Sequence, residues 1–150
     1  NLFFSGPIAK IHLDGLTSID LQLADLMGKW FGEEISLNGI KQMDIDVAIA
    51  LKDFIGHNLF LNGIEVLDEQ LALGLSGSQS ELHLNGVKAI NAKAIKALRQ
   101  NGSPKAIYLN NVKSIDVETT EQLSMLKLRE LSLNGVQTLT PTIAGLSNLS

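Results

Sequence analysis

With 150 residues and no cysteine, the chain has no disulfide, thiolate metal centre or cysteine nucleophile, and it is long enough to bury a real core as one domain. Hydrophobic residues make up 45% and aromatics only 5%, which predicts a core of Leu, Ile, Val and Ala rather than large rings. The net charge is −4, which argues against a general nucleic-acid binder, and no stretch approaches the ~18 apolar residues of a membrane span.

The opening "NLFFSGPIA" is apolar, but no basic segment precedes it, so it does not fit a signal peptide. Leu2, Phe4 and Ser5-Gly6 imitate a strand and turn. Residues 1–10 are therefore expected to form an irregular N-terminal edge, or the tail of a preceding coil. The chain then repeats one phrase: "KIHLDGLTSI", "EISLNGIKQM", "NLFLNGIEVL", "ELHLNGVKAI", "AIYLNNVKSI" and "ELSLNGVQTL". The repeats lie near 11–34, 35–58, 59–81, 82–106, 107–130 and 131–150. Their shared polar residue is Asp14, Asn38, Asn62, Asn85, Asn110 and Asn134, at spacings of 24, 24, 23, 25 and 24. A fixed period in the twenties marks a solenoid.

Within each repeat the elements follow in order. Pairs such as Ile11/Leu13, Ile35/Leu37, Leu59/Leu61, Leu82/Leu84, Ile107/Leu109 and Leu131/Leu133 alternate with outward residues, which predicts a short strand with one buried face. The Asn-Gly, Asp-Gly or Asn-Asn pair comes next. These residues tolerate positive φ and bend a chain sharply, and stacked Asn amides can hydrogen-bond along the column. Asn111 interrupts the glycine column, so that turn is expected to be wider or left-handed. An aliphatic stands two positions on (Leu16, Ile40, Ile64, Val87, Val112, Val136) and another five positions on (Ile19, Met43, Leu67, Ile90, Ile115, Leu139). Asp20, Asp44, Asp68, Asn91, Asp116 and Thr140 then read as helix N-caps, with Pro141 at a first helical position. Pairs three or four apart, such as Val47/Ala50/Leu51, Ala94/Ala97/Leu98 and Ile143/Leu146, predict short helices that return the chain to the next strand. No repeat can bury its own leucines alone; stacking builds one continuous core. Six coils at ~4.8 Å between strands give a stack roughly 25–30 Å long.

The pattern in "LSLNGVQTLT" (131–140) resembles the leucine-rich repeat family. It is most similar to the cysteine-containing subclass, with an aliphatic at the Cys position in every repeat, and to bacterial repeats with "LNGL"-type coils. The resemblance covers residues 11–149. It implies an α/β fold: a right-handed solenoid of about six coils, with a parallel sheet on one face and short helices on the other. It also implies a protein partner on the concave strand face, as in a bacterial effector or surface protein. The family's usual Asn two positions further on is absent, so its ordinary asparagine ladder does not carry over.

The outward strand columns are the candidates for function. One holds His12, Ser36, Phe60, His83, Tyr108 and Ser132. Another holds Lys10, Glu34, Asn58, Glu81, Ala106 and Glu130. Phe60, His83 and Tyr108 are consecutive and predict an aromatic stripe flanked by Asn58, Glu81, Asn62, Asn85 and Asn110. Aromatics among polar groups are typical interface anchors; a cross-strand ladder that stiffens the sheet is the structural alternative. Trp30 and Phe31 share a loop phase with Phe54 and Ile55, and all four are expected to fill space between coils. His57 reads as a solvated loop histidine.

The sequence offers no nucleophile elbow, P-loop or metal-ligand spacing, and no cofactor motif. The Asp N-caps are explained by backbone chemistry. His12 and His83 lie three coils apart, about 15 Å, too far to share an ion bound at ~2 Å. Between Leu82 and Ile115 stand Lys88, Lys93, Lys96, Arg99, Lys105 and Lys113 with no acid. No stacking aromatic interleaves them, so nucleic acid is not the expected partner. Ion pairs with Asp68, Glu69 and Glu118 are expected instead. The chain lacks an initiator Met and stops within a repeat, so a piece of a longer protein is expected. Open ends would permit homo-oligomers or a spacer role. The compartment is left open.

Overall fold

The leucine alternation forms strands where its period of two requires. The computed structural model describes residues 9–141. In chain order the elements are β1 (Lys10–His12), α1 (Leu21–Gly28), β2 (Glu34–Ser36), α2 (Ile45–Lys52), β3 (Asn58–Phe60), α3 (Glu69–Leu75), β4 (Glu81–His83), α4 (Ala92–Leu98), β5 (Ala106–Tyr108), β6 (Ser114–Asp116), α5 (Val117–Ser124), β7 (Glu130–Ser132) and β8 (Thr138–Thr140). The result is a mixed α/β structure. Among the described residues it contains a six-stranded sheet, ordered β1-β2-β3-β4-β5-β7, and five helices.

All five strand pairs of that sheet are parallel and in repeat register: Ile11 faces Ile35, then Leu59, Leu82, Ile107 and Leu131. Parallel neighbours need a crossover between them, and one helix supplies each. Consecutive helices pack side by side. Small residues allow this: a Cβ on Gly28 would lie 2.2 Å from the Ala50 carbonyl oxygen. Ile35, Leu37, Leu59, Leu61, Leu82, Leu84, Ile107 and Leu109 are fully buried, with Ile40, Ile64, Val87 and Val112 beside them. From the helices, Leu51, Leu75, Ile95 and Leu98 complete this core. Exposure rises at the last strands, where Leu131 is 36% and Leu139 61% exposed.

The polar starts of the helices are the expected ones. Asp20, Asp68, Asn91 and Asp116 each accept a backbone N–H three residues on, satisfying a donor that the helix cannot. Asp44 occupies the N-cap position of α2 without a side-chain bond. Thr140 ends β8; the helix it was expected to cap, with Ile143 and Leu146, lies outside the described residues, as does "NLFFSG". β6 and β8 form a second, two-stranded parallel sheet that the repeat pattern did not predict. Their stretches are Ser-Ile-Asp and Thr-Leu-Thr; Ser18-Ile19-Asp20 repeats the first in the same phase without forming a strand, so residue type alone does not set this pairing.

Two expectations need correction. The Asn-Gly turns that end the strands do not use positive φ: among the described residues only Gly77 and Gly102, in loops after α3 and α4, do. The turns instead close with the fourth residue's N–H on the first residue's carbonyl, as Ile64 N donates to Leu61 O at 3.2 Å. Glycine is required there by crowding between repeats, since a Cβ on Gly86 would lie 2.0 Å from the Asn62 carbonyl oxygen. Asn111 likewise keeps negative φ. The loop aromatics split by direction. Trp30 and Phe54 are buried and stack at 6.1 Å between ring centres, whereas Phe31 is 82% and Ile55 55% exposed. Successive extended residues point to opposite sides, so a pair cannot both turn inward. In the basic belt, the Arg99 guanidinium donates to Gln122 Oε1 at 3.0 Å, and Asp68 caps α3.

Candidate functional site

The outward side of the six-stranded sheet carries every residue singled out as a candidate. Register does the positioning. Phe60 pairs with His83 and His83 with Tyr108 across adjacent strands, so three rings stand over the final residues of consecutive strands. Phe60 and His83 stack with centroids 4.1 Å apart and planes 22° from parallel; His83 and Tyr108 follow at 4.4 Å and 3°. The stripe is therefore one continuous stack. Each ring remains partly exposed.

Polar groups fix the rings from the side where the strands begin. His83 Nε2 lies 2.9 Å from Asn58 Oδ1, so that nitrogen carries the proton. The Tyr108 hydroxyl lies 2.8 Å from Glu130 Oε1 and 3.1 Å from Glu81 Oε1. With one proton it donates to one carboxylate at a time. Both carboxylates disfavour the phenolate, the Glu130 bond most strongly, and hold the Tyr108 phenol well above its usual range. Glu81 also pairs with Arg129, two strands away. Burial pushes the His83 imidazole below 6.5, against the opposing pull of Glu81, Glu34 and Glu130.

From the side where the strands end, the asparagines form a ladder. Asn38 N donates to Asp14 Oδ1 at 2.8 Å; Asn62 N to Asn38, Asn85 N to Asn62, Asn110 N to Asn85 and Asn134 N to Asn110 Oδ1, each at 2.9 Å. Each rung runs from side chain to backbone rather than from amide to amide. Its origin is the end of the strand. Leu37 N still finds the Phe60 carbonyl of the next strand, but the following N–H points back to a repeat that has already turned away. Asn62, Asn85 and Asn110 thus belong to the frame of the site as well as to its surface. At the head of the ladder, the Ser36 hydroxyl and the Asn38 N–H hold the Asp14 carboxyl below its ordinary value.

The sequence reading passed over several members of this surface. Glu34 bonds His12 Nε2 at 2.7 Å, and Glu130 and Arg129 complete the network around Tyr108. Glu34 and Glu130 were visible in the Asn58/Glu81 column. Arg129 had no such signal: it precedes its strand, and only a long side chain crossing Ala106 brings it to Glu81. The outward face thus offers a flat aromatic strip, ordered acceptors and a surplus of carboxylates. This equips it to hold a surface with donors and cations. Among the described residues no helix is long and apolar enough to cross a membrane, and no three His, Asp or Glu side chains converge as metal ligands. Comparison with family models, curated proteins and solved structures gave no match.

Proposed function

We propose that the chain is a protein-interaction module of leucine-rich repeat type: a solenoid of about six coils whose strand face binds a protein partner. The observation that carries this reading is the pre-stacked strip of Phe60, His83 and Tyr108, held by Asn58, Glu81 and Glu130 before any partner arrives. Aromatic side chains already ordered lose little freedom on binding. They supply anchors, while the carboxylates and Asn amides give specificity at the rim. The mechanism is rigid presentation, with no cofactor and no chemical step.

The test is affinity capture followed by mass spectrometry, run side by side with wild type, Phe60→Glu/Tyr108→Glu and Lys93→Glu/Lys96→Glu. A protein held by wild type and by the lysine variant, yet lost from the aromatic variant, supports the strand face. Loss only from the lysine variant moves the site to α4 and sinks the reading. Far-ultraviolet circular dichroism of each variant guards against unfolding. A second reading, a self-associating spacer, draws on Leu26, Ile49 and Leu73, which are 48%, 42% and 37% exposed on α1, α2 and α3. Sedimentation over a hundredfold dilution separates the two: a concentration-dependent mass favours the spacer.

A further inference from the structure

The aromatic stack ends against a serine. Phe60 carries His83 on one face. On its other side the column holds Ser36, which pairs in register with Phe60 and is 4% exposed. A serine is too small to cover a phenyl ring, so the surface dips between His12 and Phe60. The dip is a notch of ≈ 230 Å³ lined by His12, Asp14, Glu34, Ser36, Asn38 and Phe60. Two carboxylates border it. Glu34 gives one oxygen to His12; the other lies 4.0 Å from the exposed Lys10 ammonium, a contact worth little in water. Asp14 is held by Ser36 and Asn38.

We propose that this notch is a seat for a guanidinium group, supplied by an arginine side chain of the protein partner. This rests on the strand face being the partner surface. A guanidinium is flat, so it can extend the ring stack over Ser36 and face the open side of Phe60. Its forked N–H groups match a carboxylate such as Glu34. An ammonium shares the charge and lacks the flat face. The face already holds one guanidinium of its own: Arg129 pairs with Glu81, whose second oxygen faces the Tyr108 hydroxyl. Charge favours a cationic visitor, since Asp14, Glu34, Glu81 and Glu130 stand against Lys10 and Arg129.

The experiment titrates N-acetyl-arginine-N-methylamide, and separately its lysine counterpart, into the 150-residue chain while amide and aromatic NMR signals are followed. The expected result is saturable shifts centred on Ser36, Asn38 and the Phe60 ring, with the lysine compound about three- to fivefold weaker. Glu34→Gln should weaken the arginine compound by about fivefold. Phe60→Leu should erase the difference between the two compounds. Shifts of equal size for both compounds, or none that saturate at Ser36 and Asn38, overturn the seat. The amide spectrum of each variant reports its folding directly. Read beside the capture assay, the two failures separate. A silent notch with a partner still lost from Phe60→Glu/Tyr108→Glu sinks the seat alone. A saturable notch with a partner indifferent to that variant upholds the seat and sinks the strand-face reading.

Discussion

Asn85 shows what a single side chain contributes here. Its Oδ1 is the acceptor for the Asn110 N–H, a partly buried donor with no strand carbonyl in reach. Asn85→Ala should therefore cost about 1–2 kcal/mol in urea unfolding, while Asn85→Asp should cost clearly less, because Asp14 shows that a carboxylate can hold a rung. Equal losses for the two variants would refute the acceptor role. The neighbouring glycine makes a matched pair. Gly86→Ala should destabilise by about 1–3 kcal/mol, since the new methyl meets the Asn62 carbonyl. Gly15→Ala, with nothing within 4 Å of its Cβ position, should stay within about 0.5 kcal/mol. His83 makes the fold sensitive to acid. Its folded pKa lies below its ordinary 6.5, so between the two values the unfolded chain binds more protons. Its contribution is full above about 6.5 and is lost as pH falls through the folded value. Wild type should lose more of its urea midpoint between pH 7.5 and 5 than His83→Phe does. At this scale the Asn-Gly column was plain in the sequence, but its reason was not. Asn-Gly suits turns of either φ sign, and the contact that decides lies between repeats, 23 to 25 residues apart.

At the scale of elements, a strand, its turn and its capped helix were legible because each leaves a local mark. Alternating aliphatics mark the strand, and Asp20, Asp68, Asn91 and Asp116 mark the helix starts by taking a donor three residues away. The loop into the next strand leaves no comparable mark. Trp30-Phe31 and Phe54-Ile55 look equally apolar in sequence, and only the direction of each side chain separates filler from surface. Phe54→Ala should cost about 3–5 kcal/mol, since it empties a fully buried site stacked on Trp30. Phe31→Ser should change thermal stability by less than about 0.5 kcal/mol. If the two variants melted alike, the assignment of Trp30 and Phe54 as the inward pair would fail. The β6–β8 pairing was invisible for a related reason. Its phase had already been given to N-caps, and Asp116 in fact serves both as the end of β6 and as the cap of α5.

Across the whole molecule, the period of the sequence carried the strand order, because each strand pairs with its nearest neighbours in repeat register. What it could not carry was reach beyond one neighbour. Arg129 and Glu81 are 48 residues apart, and no repeat-by-repeat alignment places them together. The aromatic strip, by contrast, needed only register and was legible as soon as the columns were aligned. Burial is greatest in the middle of the sheet and falls toward β7 and β8. Amide hydrogen exchange should follow it: Leu59 and Leu82 slowest, Leu131 and Leu139 fastest. Uniform protection from β1 to β8 would contradict this gradient.

The ladder also governs how the chain ages. An asparagine followed by glycine loses ammonia when the glycine nitrogen attacks the side-chain amide, leaving a succinimide that water opens to aspartate or isoaspartate. In the ladder Asn38, Asn62, Asn85 and Asn134 carry that hazard; outside it, Asn101 before Gly102 does too. In Asn38, Asn62 and Asn85 the amide oxygen is tied to the next repeat, which restrains the side chain from swinging onto its own backbone. Asn134 has no such tie among the described residues. Of these four ladder sites it should deamidate first in the folded 150-residue chain, and their rates should converge in denaturant, so that a peptide map of stored protein reads the ladder as a clock.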